Sequence, residues 1–180
     1  MALVSAKWRL RLLAAALALM VIVIVAAVFG TRAVGYGQSP PAPQQPIAFS
    51  HVPHVSPEKA GAQCVFCHRG VVTGAVAGIP SVEQCMFCHR VVGQGNAEVE
   101  KVRKAWEDKQ PIDWVRVHRV PDSVHFVHEP HIRAQLECAT CHGDVGSMTQ
   151  VRQVKVLRMG ECLACHRARG APTECSICHY

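Results

Sequence analysis

Cys64, Cys67 and His68 form the first of five copies of one pattern, Cys-x-x-Cys-His. The others are Cys85, Cys88 and His89; Cys138, Cys141 and His142; Cys162, Cys165 and His166; and Cys175, Cys178 and His179. Together they use all ten cysteines of the 180-residue chain. Two thiols three residues apart reach one edge of a macrocycle and add across its two vinyl groups. The histidine that follows turns its imidazole to the iron as the proximal ligand. This is the attachment pattern of c-type haem, and it implies five covalently bound haems. Two other chemistries use paired cysteines. Zinc ribbons do not need a histidine directly after every second cysteine. Adjacent pairs would also make a poor disulfide framework.

The remaining histidines carry the next inference. Eleven histidines less the five of the motifs leave His51, His54, His118, His125, His128 and His131. Five irons with two imidazoles each need five distal ligands. Four of the six lie in a repeated pattern, F-x-H-x-P-H-[V/I], at 49–55 and again at 126–132. Two histidines three apart around a proline can point to opposite sides and serve different haems. His125 has Ala48 as its counterpart in the repeat, which makes it the best candidate for a non-ligand. His118 is then the fifth distal candidate. Met159, three residues before Cys162, stays open as a substitute, with Met148 upstream. A thioether ligand would raise the potential of its haem; packing against a haem edge is the other use of such a side chain.

The elements that must position these residues repeat as well. Phe49 matches Phe126 and Cys85 matches Cys162 at a shift of 77 residues (49 to 126, 85 to 162), and both second motifs end in Cys-His-Arg, at Arg90 and Arg167. The expected fold is a multihaem cytochrome c. It is mostly irregular, with short α-helices wrapped around five haems, as two dihaem modules plus one terminal haem, preceded by one transmembrane helix. The expected boundaries are a cytoplasmic N-terminus and anchor at 1–32, a Pro/Gly/Gln linker at 33–46 and a pentahaem domain at 47–180. Within the domain lie repeat A (47–90), an insert (91–122), repeat B (123–167) and the terminal haem (168–180). In the insert, Asn96 caps an expected helix to about Asp108 with Val99, Val102 and Trp106 on one face. Glu100–Lys104 and Arg103–Glu107 are i,i+4 pairs expected on a solvated face. Residues 112–118 (IDWVRVH) have strand-like propensity. About 27 residues per haem leaves little room for an ordinary side-chain core. The haem planes are expected to take that role, with Phe66, Phe87, Ile177 and Trp114 excluding water from their edges.

Residues 12–29 (LLAAALALMVIVIVAAVF) are an uncharged run of 18, about 27 Å long as a helix and close to the hydrocarbon thickness. A cleaved signal peptide has a shorter apolar core, and no clean A-x-A site follows Phe29, so an uncleaved anchor is expected. Lys7, Arg9 and Arg11 before the run, against Arg32 after it, put the N-terminus in the cytoplasm and the haem domain on the periplasmic side of the cytoplasmic membrane. Haem is attached to c-type motifs on that outer face. The formal charge of +6 implies no nucleic-acid partner, since the propionates of five haems more than offset it and no nucleic-acid-binding motif is present.

The segments QPIAFSHVPH (45–54), AGIPSVEQCMFCHR (77–90), QPIDWVRVH (110–118), FVHEPH (126–131), RMGECLACHR (158–167) and CSICH (175–179) occur in an order and spacing that resembles the membrane-anchored pentahaem cytochrome subunit of alternative complex III. The resemblance covers about residues 45–180. More distantly, F-x-H-x-x-H before Cys-x-x-Cys-His is similar to the small multihaem cytochromes of the c3 and c7 type. The resemblance implies that His51 ligates the haem at Cys64/Cys67 and His128 the haem at Cys138/Cys141, with His54 and His131 crossing to other haems. It also implies a methionine ligand near the fourth motif, which keeps Met159 in place of His118 as an alternative. The implied partners are an iron–sulfur subunit and a polytopic subunit that oxidises menaquinol. The implied acceptor is a periplasmic cytochrome c, a copper protein or an oxidase. The chain itself is then an electron-transfer subunit and not an enzyme. Two other functions fit parts of the pattern. A self-sufficient membrane quinol dehydrogenase would need a quinone pocket beside one helix. A nitrite- or hydroxylamine-type reductase would need an open iron position, and no Cys-x-x-Cys-Lys motif occurs.

Overall fold

The structure is a computed structural model that describes the backbone of residues 2–37 and 40–180 and the side chains of 8–30 and 40–180. The side chains of the flanking charges Lys7 and Arg32, and linker residues 38 and 39, lie outside the described residues. The chain divides into two compact units that part between Gln38 and Ser39. The first is a single helix, α1 (Ala2–Gly37), whose stretch Trp8–Gly30 is long and apolar enough to cross a membrane. Its 23 residues span about 35 Å, and every described side chain on it is exposed. A helix that is apolar all round has no polar face to offer water. The helix continues to Gly37, into the segment assigned to the linker, and the chain is irregular from Pro40 to Pro46.

The second unit is built from short helices: α2 (Val52–Val55), α3 (Cys64–Cys67), α4 (Val82–His89), α5 (Ala97–Glu107), α6 (His128–Arg133), α7 (Cys138–His142), α8 (Met159–Arg169) and α9 (Cys175–Cys178). Each Cys-x-x-Cys-His pattern starts in or forms one of these helices. One helical turn puts residues i and i+3 on the same side, so both thiols of a motif share a face. Among the described residues there is no strand. The strand expected at 112–118 is therefore corrected. Its backbone finds no neighbouring strand; the side-chain amide of Gln45 takes that place, accepting from Val115 N–H and donating to Val115 C=O, each at 2.9 Å.

Helix α5 forms where Asn96 predicts it. The Asn96 side chain accepts from Glu98 N–H at 2.9 Å and Val99 N–H at 3.3 Å, satisfying two donors that the helix cannot. Its ion pairs differ from those expected. Lys104 bonds Asp108 at 2.8 Å, Lys101 bonds Glu98 at 2.7 Å, and Arg103 bonds Glu100. Arg103 is not on a solvated face; its side chain is 16% exposed because α5 packs against α4. Between those helices sits a small core of Ile47, Met86 and Val102, with Val82, Cys85, Ile112 and Trp114 against it. Val71 is the one other buried apolar side chain among the described residues. Four buried apolar residues are far too few to offset the conformational entropy of ordering such a domain at roughly 1–2 kcal/mol per residue.

Replacing Asn96 with Ala leaves those two N–H groups without their acceptor. The expected cost is about 1 kcal/mol, measured as a lower midpoint in denaturant unfolding, with Asn96→Asp close to the parent.

Candidate functional site: paired imidazoles on a backbone scaffold

The repeated F-x-H-x-P-H pattern folds the same way twice. Phe49 meets the ring of His51 edge-on at 4.9 Å and that of His54 at 4.4 Å; Phe126 meets His128 at 4.8 Å and His131 at 4.7 Å, again with the first pair edge-on and the second tilted. His54 Nδ1–H donates to Ser50 C=O at 2.8 Å, and His131 Nδ1–H to Val127 C=O at 2.7 Å, each four residues back. The phenylalanine touches both imidazoles of each copy and the turn bonds the second; the first differs, because His128 bonds Ala75 whereas the buried His51 Nδ1 has no protein partner.

Those imidazoles face the motif histidines. The ring centroids of His54 and His89 are 6.0 Å apart, those of His131 and His166 6.0 Å, and those of His128 and His142 6.3 Å. His51 lies beside His68, close enough to feel its charge. In both copies the first histidine thus meets the first motif of its own module and the second meets the second. A bound metal sits about 2 Å from an imidazole nitrogen, so two imidazoles on opposite sides of one ion hold their centroids about 6 Å apart. Pairs at this spacing can clamp one ion axially and leave four equatorial positions to a planar ligand. Among the described residues, no three His, Cys, Asp or Glu side chains converge as a metal cage. The donor sets are imidazole pairs beside dithiols.

The proton positions suit that use. Seven histidines place Nδ1 on a backbone carbonyl: His54 and His131 as above, His128 on Ala75 at 2.6 Å, His68 on Gly78 at 2.7 Å, His89 on Val92 at 3.2 Å, His166 on Pro172 at 2.5 Å and His179 on Ser123 at 2.6 Å. A carbonyl only accepts, so Nδ1 carries the hydrogen and Nε2 keeps its lone pair for a metal. Burial, then the neighbouring His68 and His54, pushes His51 down to about 4. Burial, then His118, His128 and His68, pushes His142 down to about 4, and burial also lowers His118. All three stay neutral at pH 7, the form in which imidazole ligates.

The other candidates are placed differently. His118 meets His142 at 4.5 Å with the rings perpendicular, too close to share an ion across it, and its buried Nε2 has no protein partner. A buried nitrogen of that kind is a ligand site in waiting. His125 stacks on Tyr180 at 4.2 Å, and its backbone N–H donates to Cys178 C=O at 2.8 Å. Met159 is exposed in the first turn of α8. Among the described residues no surplus imidazole makes a ring contact with His179, whose partner is Ser123. Trp114 packs on the small core, whereas Phe66, Phe87 and Ile177 stand exposed beside their cysteines.

The motifs also form a row. Burial raises the thiols of Cys67, Cys85, Cys138 and Cys162, and the further causes include cysteines of other motifs. These are Cys88 for Cys67, Cys67 for Cys85, Cys64 for Cys138, and Cys178 and Cys141 for Cys162. The second motif therefore neighbours the first, the first the third, the third the fourth, and the fourth the fifth. Sequence reading missed this order. It also missed the loop 73–78, whose Ala75 and Gly78 carbonyls orient histidines of two modules. The only trace of that loop in the sequence is its glycines, Gly70, Gly74 and Gly78. No protein-family model matches the chain, and no curated protein does.

One prediction follows from this scaffold. A Cβ at Gly70 would overlap the Val76 carbonyl oxygen and lie 3.0 Å from that of Ala77. Gly70→Ala should shift the loop, cost about 1–3 kcal/mol and disturb His68 and His128 together, read as a lower melting temperature and altered signals from both imidazoles.

Proposed function

We propose that the chain is a membrane-anchored pentahaem cytochrome c. In this reading it carries electrons from a quinol-oxidising, iron–sulfur-containing membrane complex of the alternative complex III type. The electrons leave to a periplasmic cytochrome or copper protein, or to a terminal oxidase. The observation that carries the reading is the facing of motif histidines by second imidazoles at 6.0, 6.0 and 6.3 Å, each beside a dithiol with the spacing for haem attachment. The order of the resembling segments is the support for the particular complex.

Haem supplies reversible one-electron exchange at iron when bound. The ten motif cysteines hold it through thioethers. His68, His89, His142, His166 and His179 would ligate the irons from the motifs. His51, His54, His128 and His131 would supply the second ligands of the first four, and His118 and Met159 are the candidates for the remaining one. The carbonyls at Gly78, Val92, Ala75 and Ser123 keep the proton on Nδ1 and the ring orientation fixed. Phe66, Phe87 and Ile177 offer apolar surface beside the cysteines, suited to covering a macrocycle edge. A domain with so small a side-chain core suits a fold in which cofactors supply most of the buried apolar mass. At the first four sites a second imidazole would leave the iron no open position for a substrate, which favours transfer over a reductase role there. Helix α1 serves as the anchor, N-terminus in the cytoplasm and the second unit outside.

Mild-detergent purification of the native assembly tests the proposal. The expected result is five haems per chain by pyridine haemochrome assay, uniformly low-spin, with an iron–sulfur subunit and a polytopic subunit co-purifying. A lone cytochrome that oxidises quinol by itself would replace this reading with the self-sufficient dehydrogenase. A high-spin haem that binds nitrite would replace it with the reductase.

A further inference from the structure

Among the motif histidines that reach a carbonyl, His89 stands apart. The others sit 2.5 to 2.7 Å from their acceptors, but His89 Nδ1 is 3.2 Å from Val92 C=O. Val92 is also claimed by a second donor. Arg103 gives NH2 to the same Val92 oxygen at 3.1 Å and Nε to the carbonyl of His89 itself at 2.9 Å. Its third contact, from NH1, is to the Glu100 carboxylate, which also accepts from Gly95 N–H at 3.3 Å. The guanidinium is largely buried between α5 and the turn after α4, at 16% exposure. That turn depends on Gly93, at φ +77, where an added Cβ would lie 2.9 Å from Val99 and 3.5 Å from His89 Nδ1. An always-charged, planar group is thus locked against the backbone that orients one proximal imidazole.

We propose that Arg103 is a positioning residue that raises the reduction potential of the haem at Cys85/Cys88 by competing for the carbonyl that His89 uses. This rests on the function proposed above. A strong Nδ1–H···O bond gives an imidazole anionic character, which stabilises ferric iron. Arg103 draws on the same oxygen lone pairs and leaves His89 a more neutral donor. Its positive charge acts in the same direction, because reduction adds one electron to the site and no proton. Glu100 offsets part of that charge. The insert helix, which no haem motif occupies, thereby sets the potential at the second motif, one end of the row.

Spectroelectrochemical titration of the full-length holoprotein tests this, with covalent haem counted in each preparation. In Arg103→Gln one haem of five should become harder to reduce by about tenfold in its equilibrium constant, about 59 mV for one electron, while the other four hold. Arg103→Lys should shift it less. Glu100→Gln, which keeps the acceptor oxygen for Gly95, should shift the same haem in the opposite direction. The low-spin spectrum and melting temperature of Glu100→Gln should match the parent, which separates tuning from damage. Five haems with unmoved potentials in Arg103→Gln, or a shift spread over all five, would overturn the proposal. Should Arg103→Gln fail to fold, a Glu100→Gln shift that is absent or downward overturns it equally. Fewer than five covalent haems in the parent would count instead against the function on which it rests.

Discussion

An imidazole with its Nδ1–H committed to a carbonyl has one nitrogen left, pointing in a direction set by the backbone. The second unit is organised around that constraint. Seven histidines are fixed in this way, and their acceptors lie in turns, bends or irregular chain, not within helices. This accounts for the large share of irregular chain. Turns leave carbonyls free to accept, whereas a helix interior spends them on its own ladder. Short helices supply the Cys-x-x-Cys face and then stop, so that the next carbonyl can be turned back onto a ring.

The same constraint couples segments distant in sequence. His128 in repeat B depends on Ala75 in repeat A, and His179 in the last motif depends on Ser123 at the start of repeat B. His51 N–H, at the start of repeat A, bonds Met148 C=O beyond the third motif. Single hydrogen bonds of this kind are worth only about 1 kcal/mol each. With so few buried apolar side chains, they direct the fold more than they stabilise it. The bulk of the stability must come from apolar surface that the side chains alone do not provide. In the proposed function that surface is the five macrocycles, so folding and cofactor attachment are one process.

Much of this was legible in the sequence because the chemistry needs fixed spacings. The cysteine pairs, the doubled F-x-H-x-P-H pattern and the Asn96 cap are local, and each is found where its residues put it. The apolar run at 12–29 likewise forms one long helix. The errors came from long-range partners. The 112–118 segment has the composition of a strand, but a strand needs a neighbour, and Gln45 stands there instead. Arg103 has the spacing of a surface ion pair, but α4 lies over it, and two carbonyls outbid Glu107. The places of His118 and Met159 were open in the sequence because neither lies within the F-x-H-x-P-H pattern that places the other candidates.

That asymmetry bears on how the two modules differ. The phenylalanine–histidine contacts of the two turns match within 0.3 Å, so in the proposed function like ligand sets would give haems of similar potential. In that function, differences in potential between these haems are not provided by the repeated ligands. The differences have to enter through what surrounds the repeat. Helix α5 of the insert has no counterpart in the other module, and it packs against α4, which carries the second motif. Arg103 brings its charge there from outside the repeat. A duplicated ligand scaffold with an unduplicated charged helix is a direct physical route from equivalent sites to a graded row.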